Sequence, residues 1–564
     1  MNRFGKSVRN FFDNINILAV IFPWLMIIPN ILLDITEQMS FTAKAINIIV
    51  PLSLYYLLMS ARKNAGVTML WLIIFMIMNG FQIVVLYLFG ESIIAIDMLI
   101  NCVTTNGSEA GELLKNLVLP MLISAVIYLP VIGWGIYGAV RKLPTSDKFR
   151  ILSCRYGLIG LAAGIVLSAI AMIAPGNFNP ARHIYPLNVI SNIATALHRT
   201  YQSANYHKTS AAFAYNAKDT HDNSQEEIYV LVIGETSRAV NWELFGYDRP
   251  TNPRLSRRDN LITFPRAISQ SNTTHKCVPM MLTHTTPLSF DSIMYRKSII
   301  AAFKEVGYNT AVFSNQAKNH SYTQYFSEEA DEVKYLEGAD HYDMNLVGLL
   351  RENLLKNPGK KHFIILHTYG SHFNYNERYP EDMSYFRPDD ASQANIRHRP
   401  QLLNAYDNAI RYTDSVLDDI ISLLDATDKK AVMIYTSDHG EDIFDDERGR
   451  FLHASPVPTY YQLHVPMLVW TSEEYDAAYP QIRSSMTGNK ELYVAPSQSI
   501  FHTLLQISGI ETPYFDASQS VASPAYASPA PLYLNDYNEG QPLDKSGIKE
   551  HDVELFKGIG ILKS

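Results

Sequence analysis

A set of acidic, imidazole and hydroxyl side chains recurs just after apolar, β-rich runs of this chain. Glu235 follows the run Ile228–Ile233, Asn315 and Gln316 follow Thr310–Phe313, and His367 and His372 follow Phe363–Leu366. Asp438 and His439 follow Val432–Tyr435 within Thr436-Ser437-Asp438-His439-Gly440-Glu441-Asp442. In an open α/β sheet, ligands bind outside the carboxyl ends of the strands, so neighbouring strands would bring Glu235, Asn315, His372, Asp438 and His439 to one edge. A lone Asp-His pair in a loop is more often structural than metallic. Its convergence with Glu235, from a separate strand, reverses that balance. Carboxylate oxygen with imidazole nitrogen and no thiolate suits zinc in a catalytic site, with manganese the weaker fit.

A nucleophile is the next requirement. The segment 267–280 holds Ser269, Ser271, Thr273 and Thr274 ahead of a predicted helix. A helix N-terminus offers free N–H groups to a phosphate, and a hydroxyl beside zinc is acidified enough to act as a nucleophile. By itself the segment equally fits a polar capping loop.

The elements that must position these groups follow from pattern. From residue 227 onward the β-rich runs, with Pro466–Trp470 a fifth, alternate with helical stretches, as in an α/β domain with a mainly parallel sheet. Over Leu403–Leu424, Tyr406, Ile410, Thr413, Leu417, Ile420 and Leu424 form a helical stripe that would pack on that sheet.

The first part of the chain is of another kind. Five apolar stretches are long enough to cross a bilayer: Ile15–Leu33, Ala43–Ser60, Val67–Phe89, Leu117–Val140 and Tyr156–Ala174. The first lacks a small-residue cleavage site and is followed by further spans, so it is read as an anchor, not a signal peptide. Arg3, Lys6 and Arg9, then Arg62 and Lys63, then Arg141, Lys142, Lys148, Arg150 and Arg155 fall on one side; Asp34, Glu37, Glu91, Asp97, Glu109 and Glu112 fall on the other. The positive-inside rule puts the N-terminus in the cytoplasm and everything after residue 176 outside. Residues Asn179–Gln202 have the pattern of an interfacial amphipathic helix, and 203–226 read as a polar linker. The expected division is a membrane domain 1–176, a bridge 177–226, a catalytic domain 227–514 and a tail 515–564 without assigned role. In the loop Gly90–Asn116, Asn101, Thr105 and Glu109 would share one helical face, by spacing alone a solvated one.

Composition excludes several classes. At 564 residues the chain exceeds a single core, and a net charge of −8 without a basic block argues against nucleic acid as a partner. Cys102, Cys154 and Cys277 offer no disulfide framework and no zinc-finger spacing. The spans are nearly free of charge, which disfavours a transporter.

Taken together, these motifs resemble the bacterial phosphoethanolamine transferases, which include lipid A modifying and mobile colistin-resistance enzymes. The resemblance rests on Gly234-Glu235-Thr236-Ser237-Arg238 with Gly246-Tyr247-Asp248-Arg249-Pro250-Thr251-Asn252-Pro253, on Ser437-Asp438-His439-Gly440-Glu441, and on Tyr406-Asp407-Asn408 and His453. It implies five transmembrane helices plus an alkaline-phosphatase-like α/β domain in the inner membrane, with catalysis on the periplasmic side. It implies one tightly bound zinc, with a second ion as an option, held by Glu235, Asp438, His439 and the nucleophile. The family's threonine lies five residues before the proline of a Val-Pro step, which is Thr274 here, not Thr273. Substrate-binding roles fall on Asn101, Thr105, Glu109, Gln316, His372 and His453, which replaces the solvated-face reading of the outer loop; His320 sits where some members have lysine. The implied partners are phosphatidylethanolamine as donor, lipid A or another glycan as acceptor, and membrane lipids around a monomer. A phosphatase, phosphodiesterase, sulfatase or glycerophosphate polymerase of the same superfamily is the alternative; the Cys-x-Pro-x-Arg motif that a sulfatase would need is lacking. Many relatives brace the nucleophile loop with disulfides, and Gln270 and Met280 stand at two of those cysteine positions.

Overall fold

The computed structural model describes residues 13–37, 39–104, 117–174, 178–221, 225–336, 342–390 and 395–563. The chain divides into two compact units, Met1–Leu99 with Ala110–Leu197, and Ile100–Glu109 with His198–Ser564.

The first unit is helical. Ile15–Thr36, Phe41–Ala61, Val118–Val140 and Asp147–Ile173 are each long and apolar enough to cross a membrane. Ala65–Trp71 and Ile73–Phe89 make a fifth crossing if counted as one span bent by 54°. These cover the five expected spans, the last beginning earlier, at Asp147, where Ser146 caps the helix. Large apolar side chains such as Ile74, Phe81, Val126 and Ile170 stay exposed, as a lipid-facing surface requires. Inside, Asn30 donates to the carbonyls of Asn47 and Tyr185, and the Tyr185 hydroxyl donates to Asn79. Polar groups in an apolar bundle are tolerated when they satisfy one another in this way.

The second unit is built on a seven-stranded sheet. In chain order the strands are β1 Glu227–Gly234, β2 Leu261–Thr263, β3 Asn309–Ser314, β4 Glu332–Tyr335, β5 His362–His367, β6 Lys430–Ser437 and β7 Met467–Thr471. Their spatial order is β2-β7-β6-β1-β5-β3-β4, and only β7 runs against the rest. Four of the five apolar runs lie within β1, β3, β5 and β6, and the fifth, Pro466–Trp470, overlaps β7 from Met467 on. The two edge strands β2 and β4 escaped the pattern because runs of only three or four residues leave little alternation to detect. The central strands are buried along nearly their whole length, as a sheet covered on both faces demands. One face is covered by Arg399–Asp425, whose residues Tyr406, Ile410, Leu417 and Leu424 pack with Ile228, Val230, Ile364 and Met433.

Two stretches differ from the reading as linker and tail. Residues 203–226 carry a short helix, Tyr206–Thr209, and a strand, Lys218–Asp219, paired with Ile510–Glu511. Tyr206 and Tyr215 are fully buried, and the Tyr215 hydroxyl donates to the Lys297 carbonyl. Their aromatic character was the available signal. The stretch 515–563 forms a hairpin, Leu532–Leu534 with Gly540–Pro542, and a helix, Glu550–Gly558, whose Phe556 packs against Tyr460.

Candidate active site

Because β6, β1, β5 and β3 are neighbours and parallel, their carboxyl ends open on one edge of the sheet. Glu235 follows β1 directly and Asp438-His439 follow β6. All three side chains are buried, with one ligand atom from each within 4.8 Å of the others. His439 Nε2 lies 3.3 Å from Asp438 Oδ2 and 3.7 Å from Glu235 Oε1. Burial holds the His439 ring down to about pKa 4 despite the adjacent Asp438 charge, so it is neutral at neutral pH, as a ligand must be. Asp438 Oδ2 is buried and makes no hydrogen bond among the described residues, an expensive state for a carboxylate oxygen unless a cation meets it. The donor set fits a zinc ion.

The hydroxyl segment supplies the fourth group. Its helix is Thr274–Met281, with extended Thr273 ahead of it. Thr274 Oγ1 lies 3.2 Å from Glu235 Oε2 and 3.2 Å from His439 Nε2. The Thr273 hydroxyl is instead buried and unpartnered, and caps no helix N–H. Thr274 is half-buried, so its oxygen is at once against the cluster and open to a ligand.

Around this point the other groups differ in what they reach. Gln316 Nε2 donates to the Thr368 carbonyl at 2.9 Å and lies 3.4 Å from Glu235 Oε2. His372 and His453 are half-buried, with ring centroids 5.9 Å apart, and the His453 ring lies 4.3 Å from that of His439. Asn315 is turned away: its amide donates to Asp343, which also accepts from the Tyr369 and Gly370 N–H groups. It therefore shapes the His372 loop and does not face the cluster. His320 is exposed, with φ +54°. Asn101 lies in the helix Ile96–Thr104, whereas Thr105 and Glu109 fall outside the described residues.

Three supports were not picked out from sequence. Thr236 adopts φ +58°, a left-handed conformation that costs a β-branched residue about 1–3 kcal/mol. In return its hydroxyl donates to Glu235 Oε1 at 2.6 Å and its N–H to Asp438 Oδ1 at 3.2 Å, orienting two ligands at once. Gly370, at φ +54°, lies so close that a Cβ there would come within 2.6 Å of the Glu235 carbonyl. Glu441 is fully buried; Oε1 accepts the Tyr375 hydroxyl and Oε2 lies 2.9 Å from His453 Nδ1. Burial raises its carboxyl to about pKa 7, against the pull of the Tyr375 hydrogen bond. This contact holds the His453 ring by its Nδ1 edge.

The motifs that carry the family resemblance hold the scaffold. Tyr406 Oη donates to the Thr236 carbonyl and accepts from Arg238 N–H. The Arg238 guanidinium reaches Asp445, Asn241 and the Glu441 carbonyl, joining the loops after β1 and β6. Asp407 accepts from Asn241, Tyr247 and Arg249.

Residues 227–510 match the sulfatase family model. The phosphoethanolamine transferase EptC of Escherichia coli O18:K1:H7 (strain RS218 / NMEC) is 30% identical over 354 residues, 58% of this chain and 59% of that protein. The Kdo(2)-lipid A phosphoethanolamine 7''-transferase of Escherichia coli K12 is 32% identical over 276 residues, 47% of each chain. The chain thus spans about half to three-fifths of the length of the curated relatives it matches. Among solved structures, the periplasmic domain of EptC from Escherichia coli, in complex with Zn, superposes with TM-score 0.53 at 27% identity, covering 59% of this chain and 96% of that domain. The integral membrane lipooligosaccharide phosphoethanolamine transferase A from Neisseria meningitidis shares the fold of both units, with TM-score 0.68 over 90% of this chain and 99% of that one at 22% identity.

Proposed function

The chain belongs to the sulfatase family, and we propose that it is a zinc-dependent phosphoethanolamine transferase of the inner membrane, with its soluble unit on the periplasmic face. The donor would be phosphatidylethanolamine; the acceptor would be a lipid-anchored glycan, lipid A foremost, which the name of one relative suggests. The observation that carries the reading is the Thr274 oxygen 3.2 Å from both Glu235 and His439.

Glu235, Asp438, His439 and Thr274 would hold the ion. When bound, zinc would acidify the threonine hydroxyl and neutralise charge on the phosphoryl group. Thr274 Oγ1, its proton released to solvent, attacks phosphorus as the bond to the diacylglycerol oxygen breaks. His453, whose ring Glu441 holds at Nδ1, would protonate the departing diacylglycerol oxygen. His372 and the positive end of the helix Thr274–Met281 would steady the phosphoryl oxygens. In the second half-step an acceptor hydroxyl or phosphate attacks the phosphothreonine, giving its proton to His453 and returning Thr274. Gln316, and Asn101, Thr105 and Glu109 of the outer loop, are assigned to the donor head group.

A sulfatase-type nucleophile does not fit. Cys277 is buried, its thiol is pushed far up by burial, and it donates to the Ser271 carbonyl. Thr274→Ala in the full chain tests the reading: mass spectrometry of membrane glycolipids should lose the phosphoethanolamine adduct seen with wild type. Full transfer by that variant would sink the assignment.

A further inference from the structure

The loop before the nucleophile is held by the chain's last fifty residues. In the hairpin Leu532–Leu534/Gly540–Pro542, Leu534 N–H donates to the Gln270 carbonyl at 2.7 Å. Beside it, the buried Tyr533 hydroxyl donates to Asn272 Oδ1 at 3.0 Å. One turn beyond, the buried Lys276 ammonium donates to the Asn535 carbonyl at 2.7 Å. These three contacts fall four residues before, two before and two after Thr274.

Asn272 is the junction. Its amide nitrogen donates to the Ser455 carbonyl at 2.8 Å and to Gln462 Oε1 at 2.7 Å, while its oxygen takes the Tyr533 hydroxyl. Gln462 Nε2 in turn donates to Asp442 Oδ2 at 2.7 Å. The tail, the nucleophile loop and the loop carrying Asp438 and His439 are thereby joined through buried side chains whose hydrogen bonds leave little rotational freedom. Among the described residues all three cysteines are free, so no covalent link does this work.

We propose that the segment 532–536 is a positioning brace for the nucleophile, with Tyr533, acting through Asn272, its critical residue. The inference rests on Thr274 being the nucleophile. Tyr533 touches no reacting atom; it fixes the Asn272 side chain, two residues ahead of one. A nucleophile misplaced by a fraction of an ångström loses rate without losing substrate affinity, because orientation contributes to the transition state more than to binding.

The test uses the full chain in detergent micelles with phosphatidylethanolamine as probe. It follows formation of the phosphoethanolamine adduct on Thr274 by intact-protein mass. Tyr533→Phe should lower the rate constant of adduct formation about tenfold per zinc-loaded molecule, the equivalent of one lost hydrogen bond. KM for the lipid should stay within about twofold, and Tm should shift by only a few degrees. Glu554→Ala, on the exposed side of the final helix, should match wild type. An unchanged rate constant in Tyr533→Phe, or a loss confined to KM or to the folded fraction, would overturn the brace. A wild-type chain that forms no adduct would overturn the nucleophile assignment itself, and the brace with it.

Discussion

Replacing Glu441 by Gln separates charge from shape at the group that aims His453. The carboxylate is fully buried and serves two partners, the Tyr375 hydroxyl through Oε1 and His453 Nδ1 at 2.9 Å through Oε2. Glutamine has nearly the same volume and can still accept one hydrogen bond through its oxygen. It loses the negative charge that would stabilise an imidazolium, and it puts an NH2 group where the second acceptor stood. A hydrogen bond to a charged group contributes about 1.5–3 kcal/mol, so turnover should fall roughly 10- to 150-fold. Folding should not suffer in proportion. An ionised carboxylate in this buried site carries a desolvation penalty that the amide avoids, so Tm should hold or rise. Tyr375→Phe removes one donor to Glu441 but leaves the carboxylate facing His453, and should cost only about fivefold. The assay is transfer from phosphatidylethanolamine micelles, normalised to bound zinc. A Glu441→Gln enzyme within twofold of wild type, or one slower only in step with lost zinc, would refute the reasoning.

Two further predictions concern stability. Glu227 lies under the opposite edge of the sheet, fully buried among Tyr479, Tyr229, His221, Lys361 and Lys430. Burial works against its charge, but the His221 contact, the Tyr479 hydrogen bond and the Lys361 charge prevail and lower its pKa to about 2 from 4.5. A depressed carboxylate stabilises the fold above its unfolded pKa, and the gain, about 3 kcal/mol here, is lost as pH falls from about 4.5 towards 2. Melting curves across that window should show wild type losing stability and Glu227→Gln, less stable at pH 7, losing far less; parallel losses would refute the assignment. Zinc at about a hundred times its Kd should raise Tm by several degrees through mass action, reversibly with chelator, and Asp438→Asn should abolish the shift. An equal shift in that variant would move the ion elsewhere.

What could be seen in the sequence and what could not divides along a physical line. Glu235, Asp438 and His439 stand immediately after apolar runs whose length and composition announce central strands. Once the sheet is inferred, position along the chain translates directly into position on its edge. Gln316 is likewise placed by its strand. Asn315 shows the limit of that rule. Strand ends fix where the backbone emerges, but the adjacent acid, Asp343, decides where the side chain turns. Glu441 was visible as a letter in an acidic run, yet its role depends on Tyr375, 66 residues upstream, and His453, 12 downstream. Neither is implied by spacing.

The tail was illegible for a more general reason. Its Ala-, Ser- and Pro-rich sequence lacks the periodicity that marks a buried helix or strand. Two of its three contacts to the nucleophile loop use main-chain groups, the Leu534 N–H and the Asn535 carbonyl, which every sequence possesses. Backbone donors and acceptors leave no signature in residue type. A loop that lacks disulfides can therefore be held in place while nothing in the composition of the holding segment says so. Only Tyr533, a buried aromatic with a polar end, gives the arrangement a residue whose change should be felt at Thr274 and scarcely elsewhere.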